Sequence, residues 1–285
     1  MANLKEIRNR ISSVSSTMQI TSAMKMVSAA KLKKAQDAIT AMRPYADKLT
    51  ELLQNLSATL DSSNGSKFAE QREVKTVLIV AITSNRGLCG AFNSNIIKQV
   101  THLARAYADQ KVSVLAIGKK GNDALEKENQ VISNQSNVFE DLTFENVAKI
   151  ADTLMAQFES GAVDKIELVY NKFKNAATQI ILTEPFLPIV PNTEIVNLNQ
   201  DYIFEPSKSE IVETLIPKSL KTQLFKAVRD SFASEHGARM TAMHKATDNA
   251  TELRNQLKLT YNKARQAAIT NEILEIVGGA EALNN

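Results

Sequence analysis

The loop at residues 84–93, SNRGLCGAFN, is the segment whose residue types are best suited to chemistry. It lies between a predicted buried strand and a predicted helix, where phosphate-binding loops and nucleophile elbows occur in α/β proteins. The loop lacks the Gly-Lys-Ser/Thr ending that holds phosphate and magnesium. Cys89, flanked by Gly87 and Gly90, is a candidate thiol nucleophile in a tight turn. The alternative, which we favour, is that the glycines permit the turn and that Cys89 packs as a small apolar residue.

A second group of polar side chains occupies residues 261–266, YNKARQ, just before an apolar C-terminal segment. Such a group is most often a solvated helix face. Arg265 and Gln266, however, stand at the border of the apolar segment. A guanidinium fork and a side-chain amide at that border can hydrogen-bond a loop of a partner protein. We therefore regard these two residues as candidate partner-binding residues.

The composition excludes several functional classes. The 285 residues carry a net charge of +3, one cysteine and three scattered histidines. A single cysteine rules out an intrachain disulfide and a cysteine-based metal cluster. The chain has no apolar run of roughly eighteen residues, and its first residues lack the apolar core of a signal peptide. These features predict a soluble protein of a reducing compartment, with no metal site and no cofactor.

Residues 1–61 are predicted to form one long helix. From Leu4 onward, apolar residues recur at the first and fourth positions of about eight heptads, which is typical of a coiled-coil strand. The repeat has one polar interruption, at Thr21, Lys25 and Ser28. Positive charges outnumber negative ones up to Lys48. A basic coiled coil that binds nucleic acid is therefore an alternative interpretation, beside that of a helix that contacts acidic loops of a partner.

Short apolar runs alternate with helical patterns between residues 68 and 206, after a predicted link at residues 61–66. The predicted strands are residues 74–82, 112–117, 131–138, 165–173 and 178–186. The predicted helices are residues 93–109, 119–128 and 145–159. The last two strands are expected to pair as a hairpin. This alternation predicts a Rossmann-like α/β domain with a mixed sheet.

Helical spacing resumes over residues 207–285, with a predicted interruption at Pro217. Both terminal helices adjoin the middle domain, so we expect them to pair antiparallel. The predicted architecture is an α/β fold in which a long antiparallel coiled coil of the N- and C-terminal helices carries an inserted Rossmann-like α/β domain.

The C-terminal helix ends in a tip that is apolar nearly all round. Its defining side chains are Ile269, Ile273, Ile276 and Val277. A helix that is apolar on every face requires an enclosing surface. We expect this tip to insert into a partner, the alternative being that it docks on the chain's own middle domain.

Several segments together resemble the gamma subunit of rotary F-type ATP synthase. The matching segments are residues 4–11 (LKEIRNRI), 20–27 (ITSAMKMV), 30–32, 86–90 (RGLCG), 234–240 (SEHGARM), 246–250, 261–272 (YNKARQAAITNE) and 275–280. They occur in order along the whole chain. The middle domain beyond residue 95 is similar in plan more than in residues. Gly237 stands inside a predicted helix where a stronger helix former is expected, which predicts a local softening of that helix.

The resemblance implies a non-catalytic rotary shaft that takes part in ATP synthesis and proton transport. In this family the coiled coil lies inside a hexamer of alternating alpha and beta subunits. The α/β domain lies below it, against the membrane c-subunit ring and the epsilon subunit. The implied location is peripheral, on the cytoplasmic face of the bacterial inner membrane, with one copy per complex, no cofactor and no nucleic acid bound.

The resemblance also implies which residues contact the partners. Arg265, Gln266, Thr270 and Glu272 fall where the C-terminal helix contacts loops of the beta subunits. Met24 and Lys25 fall on the part of the N-terminal helix that faces acidic loops of beta. The apolar tip is expected to act as a bearing. A Cys89-dependent hydrolase and a nucleic-acid-binding coiled coil remain the alternatives.

Overall fold

The computed structural model describes residues 4–58, 67–128, 130–189 and 208–283. Its helices are α1 (Leu4–Ala58), α2 (Phe92–Ala106), α3 (Lys119–Leu125), α4 (Phe144–Glu159) and α5 (Lys208–Leu283). Its strands are β1 (Thr76–Ile82), β2 (Lys111–Ile117), β3 (Gln130–Asn134), β4 (Lys165–Phe173) and β5 (Gln179–Leu187). Short 3-10 helices lie at Lys67–Ala69 and Ser136–Phe139. The predicted α/β class, with a long helix at each end, is confirmed.

The strands of the described residues form one sheet in the order β3-β2-β1-β4-β5. Strands β1 to β4 are mutually parallel where they pair, and β5 pairs antiparallel with β4, which confirms the predicted hairpin. The chain passes from β1 outward to β2 and β3 and then returns to the other side of β1. This reversal of strand order places a topological switch point between β1 and β4, where open α/β sheets usually bind their ligands.

The sheet is covered on both faces, because alternate residues of its central strands enter two different apolar clusters. Val77, Ile79 and Ala81 of β1 pack with side chains of α2 and α3. Leu78, Val80 and Ile82 pack with side chains of α4 and of the first part of α5. This double coverage explains why β1 is a continuous apolar run and does not alternate apolar with polar residues.

The described chain separates into two compact units. One, which we call the α/β unit, is Ala29–Arg239 and contains the sheet. The other, the helical unit, consists of Met1–Ser28 and Met240–Asn285. In the helical unit, α1 and α5 pair antiparallel, because Arg8 contacts Tyr261 whereas Thr21 contacts Thr247. This confirms the predicted antiparallel pairing of the terminal helices.

The polar interruption in the heptads has an explanation in the helical unit. Thr21 Oγ1 lies 2.8 Å from Thr247 Oγ1, so one hydroxyl can donate to the other across the helix contact, and each also lies close to a carbonyl oxygen of its own helix. Lys25 Nζ lies 3.5 Å from His244 Nδ1. Ser28, in turn, donates to the carbonyl oxygen of Met24 on its own helix at 2.8 Å. The interruption is thus a polar layer within a continuous helix.

Two predictions of local structure are wrong. Pro217 does not interrupt the C-terminal helix, because α5 begins at Lys208 and continues through it. Pro217 is the tenth residue of α5, so it removes one backbone hydrogen bond from the helix interior, and the helix continues in spite of that loss. The predicted strand at residues 131–138 is shorter, since β3 ends at Asn134 and a 3-10 turn follows. The predicted link at residues 61–66 and the exit segment at residues 192–206 lie outside the described residues.

Candidate partner-binding surfaces

The end of α5 is an exposed apolar helix. Every side chain from residue 265 to residue 281 is exposed. Four side chains that the sequence assigned to the tip have exposed fractions of about one half, namely Ile269 (44%), Ile273 (55%), Ile276 (66%) and Val277 (55%). Exposed apolar area of this extent along one helix indicates a surface that another protein covers.

The four polar residues assigned to partner contacts on α5 are also exposed. They are Arg265, Gln266, Thr270 and Glu272. Thr270 Oγ1 donates to the carbonyl oxygen of Gln266 at 3.0 Å, which is a contact within the same helix. The guanidinium of Arg265 and the carboxylate of Glu272 are accessible to groups of another chain. The sequence and the structure agree that this group directly adjoins the apolar tip.

Met24 and Lys25, the candidate contact residues on α1, are half-buried. The Lys25 ammonium lies beside the ring of His244, whose Nδ1 is 3.3 Å from Asp248 Oδ2. Antiparallel pairing therefore places Lys25 opposite residue 244 of α5. Because an α-helix rises about 1.5 Å per residue, Arg265 lies roughly 30 Å further along α5. The predicted contact residues thus form two separate groups within the helical unit.

The loop at residues 84–93 does not have the geometry of a nucleophile site. Cys89 is 2% exposed, and its Sγ lies 3.3 Å from Asn93 Nδ2 and 3.7 Å from Ser84 Oγ. Burial raises the pKa of the Cys89 thiol, and this effect outweighs the hydrogen bond from Ser84. A nucleophilic cysteine needs a lowered pKa and access to substrate. Cys89 therefore packs as a small buried residue.

Leu88 is the large apolar residue of this loop that is exposed. It is 64% exposed and has a φ of 63°, which is rare for a large side chain. Gly90 also has a positive φ, 60°, at the turn into α2. The turn therefore uses left-handed backbone at a glycine, as the sequence suggested, and at a leucine, which the sequence did not indicate.

Arg239 of α5 holds this loop from inside the α/β unit. Its Nη2 donates to the carbonyl oxygens of Arg86 at 2.9 Å and of Gly87 at 3.2 Å. Its Nη1 lies 2.6 Å from Glu235 Oε1. Arg239 thus occupies the switch-point side of the sheet, where a Rossmann-like domain would receive a ligand. Arg239 was not among the residues predicted to be functional, although a Glu-Arg pair four residues apart on a helix is a recognisable signal.

Burial changes the titration of the neighbouring groups. The pKa of Glu235 is raised, chiefly because its carboxylate is buried, and Arg239 opposes this shift. The pKa of His236 is lowered to about 4 by burial and by the positive charges of Arg239 and Lys31. His236 is therefore neutral at neutral pH and packs edge-on against Phe232, with ring centroids 4.5 Å apart.

The described residues contain no cluster of three or more histidine, cysteine or acidic side chains that is arranged to hold a metal ion. Among the helices of the described ranges, none combines the length and the apolar character needed to cross a membrane.

Comparison with known proteins gives one consistent result. Residues 3–283 match the family model described as ATP synthase. The chain is 76% identical over 284 residues to the ATP synthase gamma chain of Flavobacterium psychrophilum, covering 99% of each chain. It is 44% identical over 286 residues to the ATP synthase gamma chain of Geotalea uraniireducens, again covering 99% of each.

Solved structures give the same result. A chain from the central stalk and c-ring of the Tetrahymena thermophila mitochondrial ATP synthase is 28% identical, with a TM-score of 0.60. That match covers 80% of this chain and 99% of the other. A chain of the Euglena gracilis mitochondrial ATP synthase shares the fold at 22% identity, with a TM-score of 0.69. It covers 98% of this chain and 94% of the other.

Proposed function

The chain belongs to the family of ATP synthase gamma chains, and from this membership we propose that it is the central rotary shaft of an F-type ATP synthase. It transmits torque between the ion-driven c-subunit ring in the membrane and the catalytic hexamer of alpha and beta subunits. It is a subunit of the enzyme complex and contributes no catalytic residue of its own.

The observation that carries this proposal is the exposed apolar end of α5. A single helix with all side chains exposed from residue 265 to residue 281 is costly in water unless a partner encloses it. Apolar contact is non-directional. The free energy of contact between this helix and an apolar surface that encloses it therefore changes little as the helix rotates about its axis. A rotating tip requires such a surface. We assign the bearing to Ile269, Ile273, Ile276 and Val277.

The polar residues next to the tip suit a different role. Hydrogen bonds with charged groups are directional and contribute about 1.5–3 kcal/mol each, enough to favour one angular state. We propose that Arg265, Gln266, Thr270 and Glu272 contact loops of the catalytic beta subunits. Met24 and Lys25 form a second contact with beta, on α1.

The remaining parts of the chain follow from the same assignment. We propose a coiled-coil helix at residues 1–61, an α/β domain at residues 68–206 and a second coiled-coil helix at residues 207–285. The α/β domain contacts the epsilon subunit and the c-subunit ring. One copy of the chain is present per complex, on the cytoplasmic face of the bacterial inner membrane, peripheral to the bilayer.

Co-purification from the native source tests this function. An affinity tag on the chain should recover alpha and beta subunits in excess, with about one copy of the chain for each set of three alpha and three beta. The recovered complex should hydrolyse ATP, whereas the purified chain alone should not. Recovery of a stable homodimer without nucleotide-binding partners would contradict the proposal.

A further inference from the structure

One buried face of α5 in the α/β unit carries polar side chains where a packed helix usually carries apolar ones. Asp230, Ser231 and Ser234 are 0%, 1% and 0% exposed. Charged and hydroxyl groups at such positions are costly unless each finds a partner. Asp230 and Ser234 each find a partner, whereas Ser231 Oγ has none among the described residues, so Asp230 and Ser234 mark a place where the chain uses directional contacts.

Asp230 joins three elements of the fold at one point. Its Oδ1 accepts a hydrogen bond from Arg43 Nη2 on α1 at 2.7 Å and one from the Phe173 amide at the end of β4 at 3.4 Å. The same Arg43 Nη2 donates to the carbonyl oxygen of Phe173 at 2.8 Å. Through Arg43 Nη2 and Asp230 Oδ1, Arg43, Asp230 and the Phe173 backbone thus form a polar group that links α1, α5 and β4.

Further contacts continue along the same face of α5, since Asp230 lies two helical turns after Gln223 and Ser234 lies one turn after Asp230. Ser234 Oγ donates to the carbonyl oxygen of Asn171 on β4 at 2.9 Å. Gln223 Nε2 donates to Glu184 Oε1 on β5 at 2.8 Å. The helix is therefore attached to two strands by hydrogen bonds at several positions along this face.

Directional contacts and apolar contacts respond differently to an applied twist. Apolar packing is non-directional, so a helix held only by it can rotate slightly against a sheet at small cost. A rotation of α5 would instead separate the Asp230 carboxylate from Arg43 and the Phe173 amide. The carboxylate would then be buried without partners, which is strongly unfavourable. The polar group therefore fixes the rotational setting of α5 against β4.

We propose that Arg43 and Asp230 are positioning residues that lock both long helices to the sheet, so that torque passes between the α/β unit and these helices without slip. The proposal rests on the proposed function as a rotary shaft. It assigns to these two residues a mechanical role that apolar packing cannot fill.

The chain offers a matched pair of variants for the test. Arg43→Met removes the guanidinium, and with it the charged partner of Asp230, but keeps an apolar stem that fits a side chain that is 33% exposed. Lys226→Met is the control. Lys226 Nζ also forms a 2.7 Å ion pair between α5 and α1, with Asp47, whose side chain is 63% exposed. Lys226 is a suitable control because its ion pair links the two helices, whereas the Arg43 guanidinium also donates to the Phe173 carbonyl oxygen of β4 and so links them to the sheet.

Both variants should be purified as the complete complex and compared with wild type for subunit composition, ATP hydrolysis and ATP-driven proton pumping. We expect the Arg43→Met complex to hydrolyse ATP with normal composition but to pump fewer protons per ATP than wild type, because loss of the charge-assisted bond allows α5 to rotate against β4. Lys226→Met should keep the wild-type ratio. Pumping by Arg43→Met at the wild-type ratio, or an equal loss in both variants, would overturn the proposal.

A second variant covers the case in which Arg43→Met does not assemble. Asp230→Asn keeps the shape of the side chain and an acceptor for the Phe173 amide, and it weakens the link to Arg43. A lower number of protons pumped per ATP hydrolysed supports the proposed role of Arg43 and Asp230, and an unchanged number overturns it. If instead the wild-type chain is not recovered with alpha and beta subunits, the proposed function fails, which is a separate outcome.

Discussion

Gly237 on α5 lies so close to Ala176, in the turn between β4 and β5, that a Cβ at position 237 would be 3.2 Å from both the Cα and the carbonyl oxygen of Ala176. The sequence alone suggested that this glycine softens the helix. The structure adds a packing reason, because a Cβ at this position would be closer to the hairpin than ordinary van der Waals contact allows.

We expect Gly237→Ala to change the free energy of unfolding by less than about 0.5 kcal/mol, because the helix-propensity gain of about 1 kcal/mol is offset by the contact with Ala176. Gly237→Leu should destabilise the chain by about 1–3 kcal/mol, since the turn must move. Urea unfolding of the purified chain measures both free energies.

Gly278, which has no atom within 4 Å of its ideal Cβ, provides the control. Gly278→Ala should raise helical content, and a clear stabilisation by Gly237→Leu would contradict the packing argument.

The Thr21–Thr247 contact in the helical unit should show energetic coupling. Each single change to valine leaves one hydroxyl without its cross-helix partner and should cost about 0.5–1.5 kcal/mol. The double change replaces both hydroxyls by methyl groups of similar shape and should cost less than the sum of the two singles. A double-mutant cycle from unfolding curves measures the difference. Thr17→Val, at an exposed position, is the control, and strictly additive single effects would argue against the contact.

The stability of the α/β unit should depend on pH through His236. Its folded pKa is lowered to about 4 by burial, Arg239 and Lys31, whereas an unfolded histidine titrates near pH 6.5. Between these values the unfolded chain binds a proton that the folded chain does not, so stability falls as the pH is lowered through this window. Above about pH 6.5, the contribution of neutral His236 to the free energy of unfolding is fully present.

His236→Gln should therefore flatten the dependence of the unfolding free energy on pH between about pH 6.5 and about pH 4. The raised pKa of Glu235 acts in the opposite direction but is common to both proteins, so the comparison isolates the histidine. The same substitution at His244, whose side chain is 57% exposed, controls for the loss of a histidine as such. If the unfolding free energy of His236→Gln depends on pH with the same slope as that of wild type, the prediction is refuted.

The burial of Cys89 predicts a slow reaction with thiol reagents. The folded chain should react with a maleimide at least about tenfold more slowly than the urea-unfolded chain, because the reactive thiolate is disfavoured by burial. Cys89→Ser should leave ATP hydrolysis by the assembled complex near the wild-type rate. Hydrolytic activity of the chain alone that disappears in Cys89→Ser would revive the hydrolase alternative.

The two adjoining surfaces at the end of α5 should be separable by mutation. Deletion of the residues after Val277 removes part of the apolar tip, so it should weaken assembly but preserve coupled proton pumping. Arg265→Ala combined with Gln266→Ala removes directional contacts of about 1.5–3 kcal/mol each, so it should alter ATP turnover and coupling in a complex of normal composition. Wild-type behaviour of the double alanine variant, with coupling lost only in the truncation, would reverse our assignment of bearing and contact residues.

Local patterns in the sequence determined most of the secondary structure. The heptads from Leu4 predicted α1, and the apolar run before the loop at residues 84–93 predicted β1, because helix and strand periods depend on near neighbours in the chain. The apolar tip of α5 could be predicted from the sequence for the same reason. Apolar residues predominate there, and residues 265–281 are exposed, so no tertiary contact of the described residues covers them.

Only the tertiary structure decided which polar residues are buried and what they bind. Asp230 has an unremarkable setting in sequence, yet its partners are Arg43 and the Phe173 backbone, which are 187 and 57 residues away. Arg239 likewise reaches Gly87 across 152 residues. Such pairings depend on where the sheet and the two long helices meet, and that geometry arises from the packing of many apolar side chains at once. A polar residue becomes a structural contact only after that packing has brought its partner within hydrogen-bond distance.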